Sequence, residues 1–479
     1  LEPVPAPKFP GVCYHHAVRR TLLAVVFVVV TGVAGALAYS AWSNEQDFER
    51  FMADGDQAVE VDRLFQAIEA YSGAVALKPD SMVAHLKRGS VYQAQGELDA
   101  ALRDLQRATE IDPSALRPLE LSADVSSAMG RSDRAIARYE AYVALDDQNA
   151  RLQYKLALAR YRAGMVSAAV APLQHAIGLD PALGEAHYLL GLVQRDLNQY
   201  PAARASLETS VQLAPGSQTA AREALAEVYD LAGDQAKFIA QLEALAALEP
   251  GRPDRLMTVG RAQARAGRLD SALTTLSRAV ERFPDAPDAY AALGHVWLVT
   301  GQTRGDRVAL NKAVAALLEA TSRPDATPEA FADLGLALLL TGEPQAAETA
   351  LRQAVSRLPV PPDAFLQLAT VTARDGRLQD ARDALLKYAV LVGDGLPLAH
   401  VATQIADYSI RLGQPDLAVR WFDRALDEAG PSAALLVRLA DAAWKAGDLP
   451  RARRVIEEGL SADPGHRALL DLKRRLPPS

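Results

Sequence analysis

Aromatic residues make up only 6% of this 479-residue chain, and it holds a single cysteine, Cys13. One cysteine excludes an internal disulfide framework and any metal site built from several thiolates. Basic charge is also in short supply: Lys and Arg total 51 against 59 Asp and Glu, a net charge of -8 with the two signs interspersed. That balance lacks the basic stripe with which a protein displaces phosphate counterions, so no nucleic-acid partner is expected. Catalytic patterns are missing as well: no His-Glu-x-x-His, no Gly-rich phosphate loop followed by Lys, and no Gly-x-Ser-x-Gly elbow. His85, His175, His187, His295, His400 and His466 are scattered, none with a second histidine at ligand spacing. The chain therefore reads as a non-enzyme with no cofactor, no metal and no small-molecule substrate.

What is present is a period. Residues 82–113 carry Gly89, Tyr92, Gly96, Ala101, Leu105, Ala108 and Pro113, and steps of 34 residues find the same types again. Pro79, Pro113, Pro181 and Pro215 share one phase, with Asp147 filling the gap. A repeat of this length marks an array of stacked supersecondary units. In each unit a first amphipathic helix ends at a glycine suited to a left-handed turn, and a second helix runs to the Pro or Asp that closes the unit. Turn glycines fall at Gly96, Gly130, Gly164, Gly233, Gly267, Gly301, Gly342, Gly376, Gly413 and Gly447. Small residues recur in the first helix at Gly55, Gly89, Ala123, Ala157, Gly191, Gly260, Gly294, Gly335, Ala369, Ala406 and Ala440. The second helix has Ala67, Ala101, Ala135, Ala169, Ala203, Ala272, Ala313, Ala347, Ala381, Ala418 and Ala452 in one phase. Asp99, Asp133 and Asp270, just after turn glycines, are expected to cap or favour helix N-termini.

This pattern resembles the tetratricopeptide repeat, matching it well at the small positions and weakly at the leading Trp. The resemblance implies an all-α fold, a right-handed α-solenoid superhelix of about twelve helix-turn-helix units. Residues 48–466 accommodate twelve such units, and 467–479 read as a C-terminal capping helix and tail. Extra residues enter near Gly233, between Gly301 and Ala313 (about seven, including Arg304-Gly305-Asp306, expected as a longer inter-helix loop) and near 393–397. The family receives peptides or helices on a concave surface lined by first helices, at positions two, five, nine and twelve of each unit. In the fourth and fifth units these are Arg151, Tyr154, Leu158 and Tyr161, then Glu185, Tyr188, Leu192 and Arg195. They predict an apolar patch rimmed by arginines, suited to a protein segment. Further along, the same positions hold Asp254, Met257 and Arg261, then His295 and Leu298, Leu336 and Leu339, and finally Asp407, Asp441 and Trp444. The Lys and Asn with which some members grip a C-terminal carboxylate are replaced by Leu86 and Ser90, or by Glu120 and Asp124, which argues against a chaperone clamp of that kind.

The N-terminus is different in kind. Residues 1–17 are Pro-rich and expected to be a disordered cytoplasmic tail. From Thr21 to Ser43 no residue is charged, a run of roughly 30 Å as a helix, enough to cross a bilayer. A transmembrane helix is accordingly expected over 18–43, with Leu22 and Phe27 in its apolar body and Gly32 and Ala36 as a small-xxx-small pair. Arg19 and Arg20 before it stay in the cytoplasm by the positive-inside tendency, and Trp42 takes the outer interface. Ala36-Leu37-Ala38 also fits a signal-peptidase site, but the length of the run favours an uncleaved anchor.

Arg outnumbers Lys 42 to 9, and with the abundant Ala this points to a GC-rich bacterial genome. The resulting expectation is a bacterial inner-membrane, single-pass protein with its repeats in the periplasm. It would be a scaffold organising a multiprotein complex, for example in exopolysaccharide secretion, envelope or pilus assembly. Alternatives are a periplasmic holding chaperone for exported proteins such as apocytochromes, and a non-catalytic part of an enzyme complex.

Overall fold

The computed structural model describes the backbone of residues 12–213, 218–393 and 398–477, and side chains from 25 onward apart from 218. The stretch 1–11, Pro215 and most of the insertion near 393–397 lie outside the described residues, as do the side chains of Cys13, Arg19, Arg20 and Leu22. Every regular element among the described residues is a helix.

The chain divides into two compact units, Leu1–Gly233 and Asp234–Ser479. The first holds α1 (Val12–Glu60), α2 (Leu64–Leu77), α3 (Met82–Ala94), α4 (Leu98–Ile111), α5 (Leu116–Ala128), α6 (Ser132–Leu145), α7 (Ala150–Arg162), α8 (Val170–Leu179), α9 (Gly184–Asp196), α10 (Tyr200–Leu213) and α11 (Gln218–Leu231). The second holds α12 (Gln235–Leu248), α13 (Pro253–Arg265), α14 (Leu269–Arg282), α15 (Pro287–Arg304), α16 (Arg307–Thr321), α17 (Pro328–Thr341) and α18 (Pro344–Val355). It continues through α19 (Pro362–Arg374), α20 (Leu378–Val392), α21 (Ala399–Arg411), α22 (Pro415–Ala429), α23 (Ala433–Lys445), α24 (Leu449–Ala462) and α25 (Arg467–Arg475). Within each unit a first helix packs on its own second helix, which packs on the next first helix.

The phased small residues hold these layers together. All eleven second-helix alanines, from Ala67 to Ala452, are fully buried. A Cβ added to Gly191, Gly260 or Gly335 would come within 2.5 Å of Leu207, Leu276 or Leu351, respectively. Each of these leucines lies sixteen residues on, in the partner helix, so the missing side chain is what admits the next. That large position is buried in the eleven pairs that carry the phased alanine, as Tyr71, Leu105, Tyr139, Leu173, Leu207, Leu276, Leu317, Leu351, Leu385, Phe422 and Ile456. Between helices, Gly96, Gly130, Gly164, Gly267, Gly342, Gly376, Gly413 and Gly447 adopt positive φ, and Asp62 and Asn198 take the same role without being glycine.

One expectation is corrected and another is met only in part. Gly301 is a buried helical residue of α15, not a turn; Gly305, with φ 65, makes the turn, and Asp306 caps α16 by accepting from the Val308 N–H at 2.8 Å. The seven extra residues amount to roughly two helical turns, and they extend both helices of the pair instead of swelling a loop. Gly301 keeps the lengthened seam closed, since its Cβ would meet Leu310 at 2.6 Å. Asp99, Asp133 and Asp270 sit in first turns without capping a backbone N–H. Asp99 and Asp270 instead accept from Arg131 and Arg304 of the following pair, at 3.1 and 3.0 Å. Caps come from Ser81, Asn149, Asp234, Asp306, Thr327, Ser432 and Asp448.

At the N-terminus, α1 begins at Val12, inside the stretch expected to be a disordered tail, and runs without a break to Glu60. The membrane-length segment and the first helix of the first repeat are thus one helix. Its portion from Val25 to Trp42 is exposed throughout, with Phe27 and Trp42 more than half exposed. Gly32 has nothing within 4 Å. Beyond Trp42 the helix packs on α2, where Lys78 donates to Glu45 at 2.5 Å and lies 4.1 Å over the Phe48 ring. At the other end, α25 buries Leu469 and Leu472 and leaves Lys473, Arg474 and Arg475 exposed.

Candidate protein-binding surfaces on the first helices

The first helices of the fourth and fifth repeats, α7 and α9, bring the expected groove residues side by side. Tyr154, Leu158 and Tyr161 of α7 and Tyr188, Leu192 and Arg195 of α9 are half-buried, and Arg151 and Glu185 are exposed. Tyr154, Leu158 and Tyr161 pack against a buried cluster containing Ala157, Leu173, Leu189 and Leu190. The helical period explains this in α7: Leu152, Leu156 and Ala159 turn inward, so Tyr154, Leu158 and Tyr161, each two positions on, look outward.

Polar partners divide the three tyrosines. Tyr161 donates to Asp196 at 2.7 Å, and Arg195 donates to the same carboxylate at 2.9 Å and to Glu227 of α11 at 2.6 Å. The hydroxyls of Tyr154 and Tyr188 bond to no described residue. Burial, then the nearby Glu185 carboxylate, pushes the Tyr154 phenol above its ordinary pKa, so it remains a neutral donor. Two half-buried aromatic rings with unengaged hydroxyls form an amphipathic platform of the kind that anchors a partner chain.

Toward the N-terminus the same face is occupied from within. Asp56 accepts from Tyr71 at 2.6 Å and from Lys87 at 2.6 Å. Asp124 accepts from Tyr139 at 2.5 Å and from Lys155 at 2.8 Å, and Lys155 also reaches Glu120 at 2.9 Å. Burial raises the Asp56 and Glu120 carboxyls, but Lys87 with Tyr71, and Lys155 with Arg117, together outweigh it and hold both below the usual carboxylate range. Lys87 and Lys155 were not foreseen as groove residues. The spacing of Asp, Tyr fifteen on and Lys thirty-one on, recurring two repeats later, was the available signal.

In the second unit the expected positions split. Leu298 and Met257 are buried and do not line an open face. Leu298 is covered by Leu334 and Leu338 of the next first helix. Leu336 and Leu339 are half-buried. Asp254, Asp407 and Asp441 are taken up by Arg252, Arg438 and Lys445 at 2.8, 2.9 and 2.7 Å, and Arg475 lies 5.2 Å over Trp444. Arg261 and His295 are exposed on a cavity between α13, α15 and α17.

Family models of known repeats agree with this architecture. Models of the tetratricopeptide repeat match residues 184–217, 253–296, 332–395 and 409–476, and a model of the bacterial transcriptional activator domain matches 45–184. The small glutamine-rich tetratricopeptide repeat-containing protein 2 of Mycosarcoma maydis is 28% identical over 121 residues, 25% of this chain and 34% of its own. The chain thus spans about a third of that relative's length. Among solved structures, the MamA protein is 19% identical with a TM-score of 0.35, covering 36% of this chain and 94% of its own. YrrB, described as a TPR protein with an unusual peptide-binding site, is 20% identical with a TM-score of 0.35 over 38% and 94%. Pseudomonas aeruginosa pilF is 16% identical with a TM-score of 0.37 over 44% and 95%. With repeat models matching in both units and the buried alanines in phase throughout, the chain is a tetratricopeptide-repeat protein.

Proposed function

We propose that the protein is a non-catalytic scaffold that holds other proteins on its first-helix surfaces while α1 anchors it in a bacterial inner membrane. The observation that carries the reading is the platform of Tyr154 and Tyr188, two rings on adjacent first helices whose hydroxyls no described residue engages. The anchor is supported by the exposure of the apolar run in α1, whose mean hydropathy is 1.9 with none of it buried. Such a surface is stable only when lipid or another apolar body covers it. The charge balance favours protein partners over nucleic acid, including over residues 45–184, where the transcriptional activator domain model matches. The repeats then lie in the periplasm, as the charge asymmetry around the anchor implies, where they organise an envelope, pilus or polysaccharide-secretion complex.

The test is cross-linking in native membranes followed by purification of the full chain. A scaffold returns a fixed set of partners in constant proportion and loses some of them when Tyr154 and Tyr188 become Ala. Suppression of aggregation of unrelated unfolded proteins, with no constant partner, would identify a holding chaperone instead. A reporter fused after Ser479 and active only in the cytoplasm would overturn the topology.

A further inference from the structure

We propose that the cavity between α13, α15 and α17 is a binding site for a protein segment that presents an acidic side chain, its carboxylate seated against Arg261 and His295. This rests on the scaffold reading and gives it a second, chemically defined contact in the second unit. The cavity encloses about 880 Å³, within the range of specific ligand sites. Its floor is aliphatic, including Ala292 and Val296, and its rim is charged.

The charges are not mixed at random along the helices. Asp288 and Glu329 are the second residues of α15 and α17, at the helix starts, where a carboxylate is favoured by the N-terminal dipole. His295 lies seven residues beyond Asp288, about 10 Å further along at the rise of a helix. Arg261 stands close enough to oppose the charge on the imidazole, and Arg265 is one turn beyond Arg261, 5.9 Å over the Phe238 ring. The cavity therefore has an acidic end and a basic end.

The basic end is under-compensated. Asp333 accepts from His295 Nδ1 at 2.8 Å and favours the imidazolium, raising its pKa above the ordinary value against the partial desolvation of the ring and the charge of Arg261. Asp333 is thus engaged by His295, and the Arg261 guanidinium, whose charge opposes the imidazolium, bonds to no described residue. An added carboxylate would relieve the repulsion between Arg261 and His295 and accept from a guanidinium that is already exposed and needs no rearrangement. The aliphatic floor would receive the apolar neighbours of that acidic residue. A segment with a basic residue about 10 Å away would also meet Asp288, which sets its direction in the cavity.

The sign of the pH dependence follows from the groups around His295: Asp333 on α17 and Arg261 on α13 nearest, with Arg265, Asp288 and Glu329 further along the cavity. Only His295 changes charge near neutrality. Affinity should be greatest when it is protonated and should fall as pH rises through its titration.

The experiment uses the full chain in nanodiscs and a random peptide library, selected on the wild type after depletion on Arg261→Gln. Recovered peptides are synthesised with a fluorophore and titrated by anisotropy. The expected result is enrichment of Asp or Glu among aliphatic residues, with affinity lowered about tenfold by Arg261→Gln and partly restored by Arg261→Lys. Affinity should also weaken between about pH 6 and about pH 8 in the wild type but not in His295→Gln. Peptides that lack carboxylates, that bind Arg261→Gln equally well, or a selection that yields none, would overturn the site. Partners that still co-purify with the wild type and depend on Tyr154 and Tyr188 would leave the scaffold reading standing, so the two failures are distinguishable.

Discussion

Lys155 reaches back from the fourth repeat to Asp124 of the third at 2.8 Å, binding a carboxylate that Tyr139 already holds from inside the pair. The same arrangement joins Lys87 to Asp56 and Tyr71 two repeats earlier. In both cases tyrosine replaces the leucine of the buried position, and its hydroxyl extends far enough to meet an aspartate on the first-helix face. The replacement converts a purely apolar layer contact into one that specifies which first helix follows.

Lys155→Met should therefore destabilise the first unit by about 1–2 kcal/mol, between the values for exposed and fully buried pairs because the side chains remain partly exposed. Loss of the lysine leaves Asp124 without its cation and Glu120 with only the exposed Arg117, at 2.8 Å. Tyr139→Phe should cost about 1.5–3 kcal/mol by removing one hydrogen bond to a charged group. Denaturant titration followed by circular dichroism measures both, and a double mutant should lose less than the sum, since the two share Asp124.

Acid should find the same contacts. The Asp56 and Glu120 pKa values are lowered in the folded chain, so their contribution is present above the ordinary carboxylate range and is lost as pH falls below it through their lowered values. Glu348, held at about 2 by Arg377 with Arg352 beside it, keeps its charge further into acid. Thermal midpoints measured between about pH 6 and about pH 3 should fall, and the fall should be shallower in Lys87→Met and Lys155→Met, which have less to lose. An unchanged slope would remove these lysines from the acid response.

Much of this fold is legible in sequence because steric positions are strict. A first-helix glycine cannot accept a Cβ at 2.5 Å from Leu207, and the second-helix alanines have no room for more, so the period survives at those sites. The face of the array is less legible, because a side chain's exposure depends on the next helix over. Leu298 occupies the same repeat position as half-buried Tyr161, yet Leu334 and Leu338 cover it. Gly301 misleads for another reason: it keeps the phase of the turn glycines while the added residues move the turn to Gly305. Arg261 and His295 stand at foreseeable positions, but Asp333, which orients the imidazole, lies off that register.

The two kinds of glycine should respond differently to the same substitution. Gly191→Ala places a methyl 2.5 Å from Leu207 and 3.3 Å from the Ala203 carbonyl oxygen, so the layer must open, at a cost of about 1–3 kcal/mol. Gly164→Ala meets nothing within 4 Å, but its φ of 76° is strained for alanine, at about 1 kcal/mol. Gly164→Asn should recover most of that loss, because Asn198 already occupies the equivalent turn with φ 58. No residue other than glycine is expected to recover Gly191. Equal rescue at both sites in chemical denaturation would contradict the distinction.

The continuity of α1 makes a geometric prediction. The run of α1 from its apolar segment through Trp42 to Glu60 gives the first repeat no hinge at residues 43–47, and the Lys78 contacts with Glu45 and Phe48 tie α2 to the same stretch. Spin labels at Ala38 and Glu60, both exposed, are separated by about 33 Å along a continuous helix at 1.5 Å per residue. Pulsed dipolar measurements on the full chain in nanodiscs should give one narrow distribution near that distance. Gln46→Pro removes a backbone donor and clashes with the preceding turn, so it should broaden the distribution and shorten its mean. Lys78→Ala should broaden it less, since the helix remains intact and only its brace is lost. A broad distribution in the unmodified chain would mean that the anchor and the array are joined by a flexible link, and the orientation of the first repeat would then be set by its partners and not by the membrane.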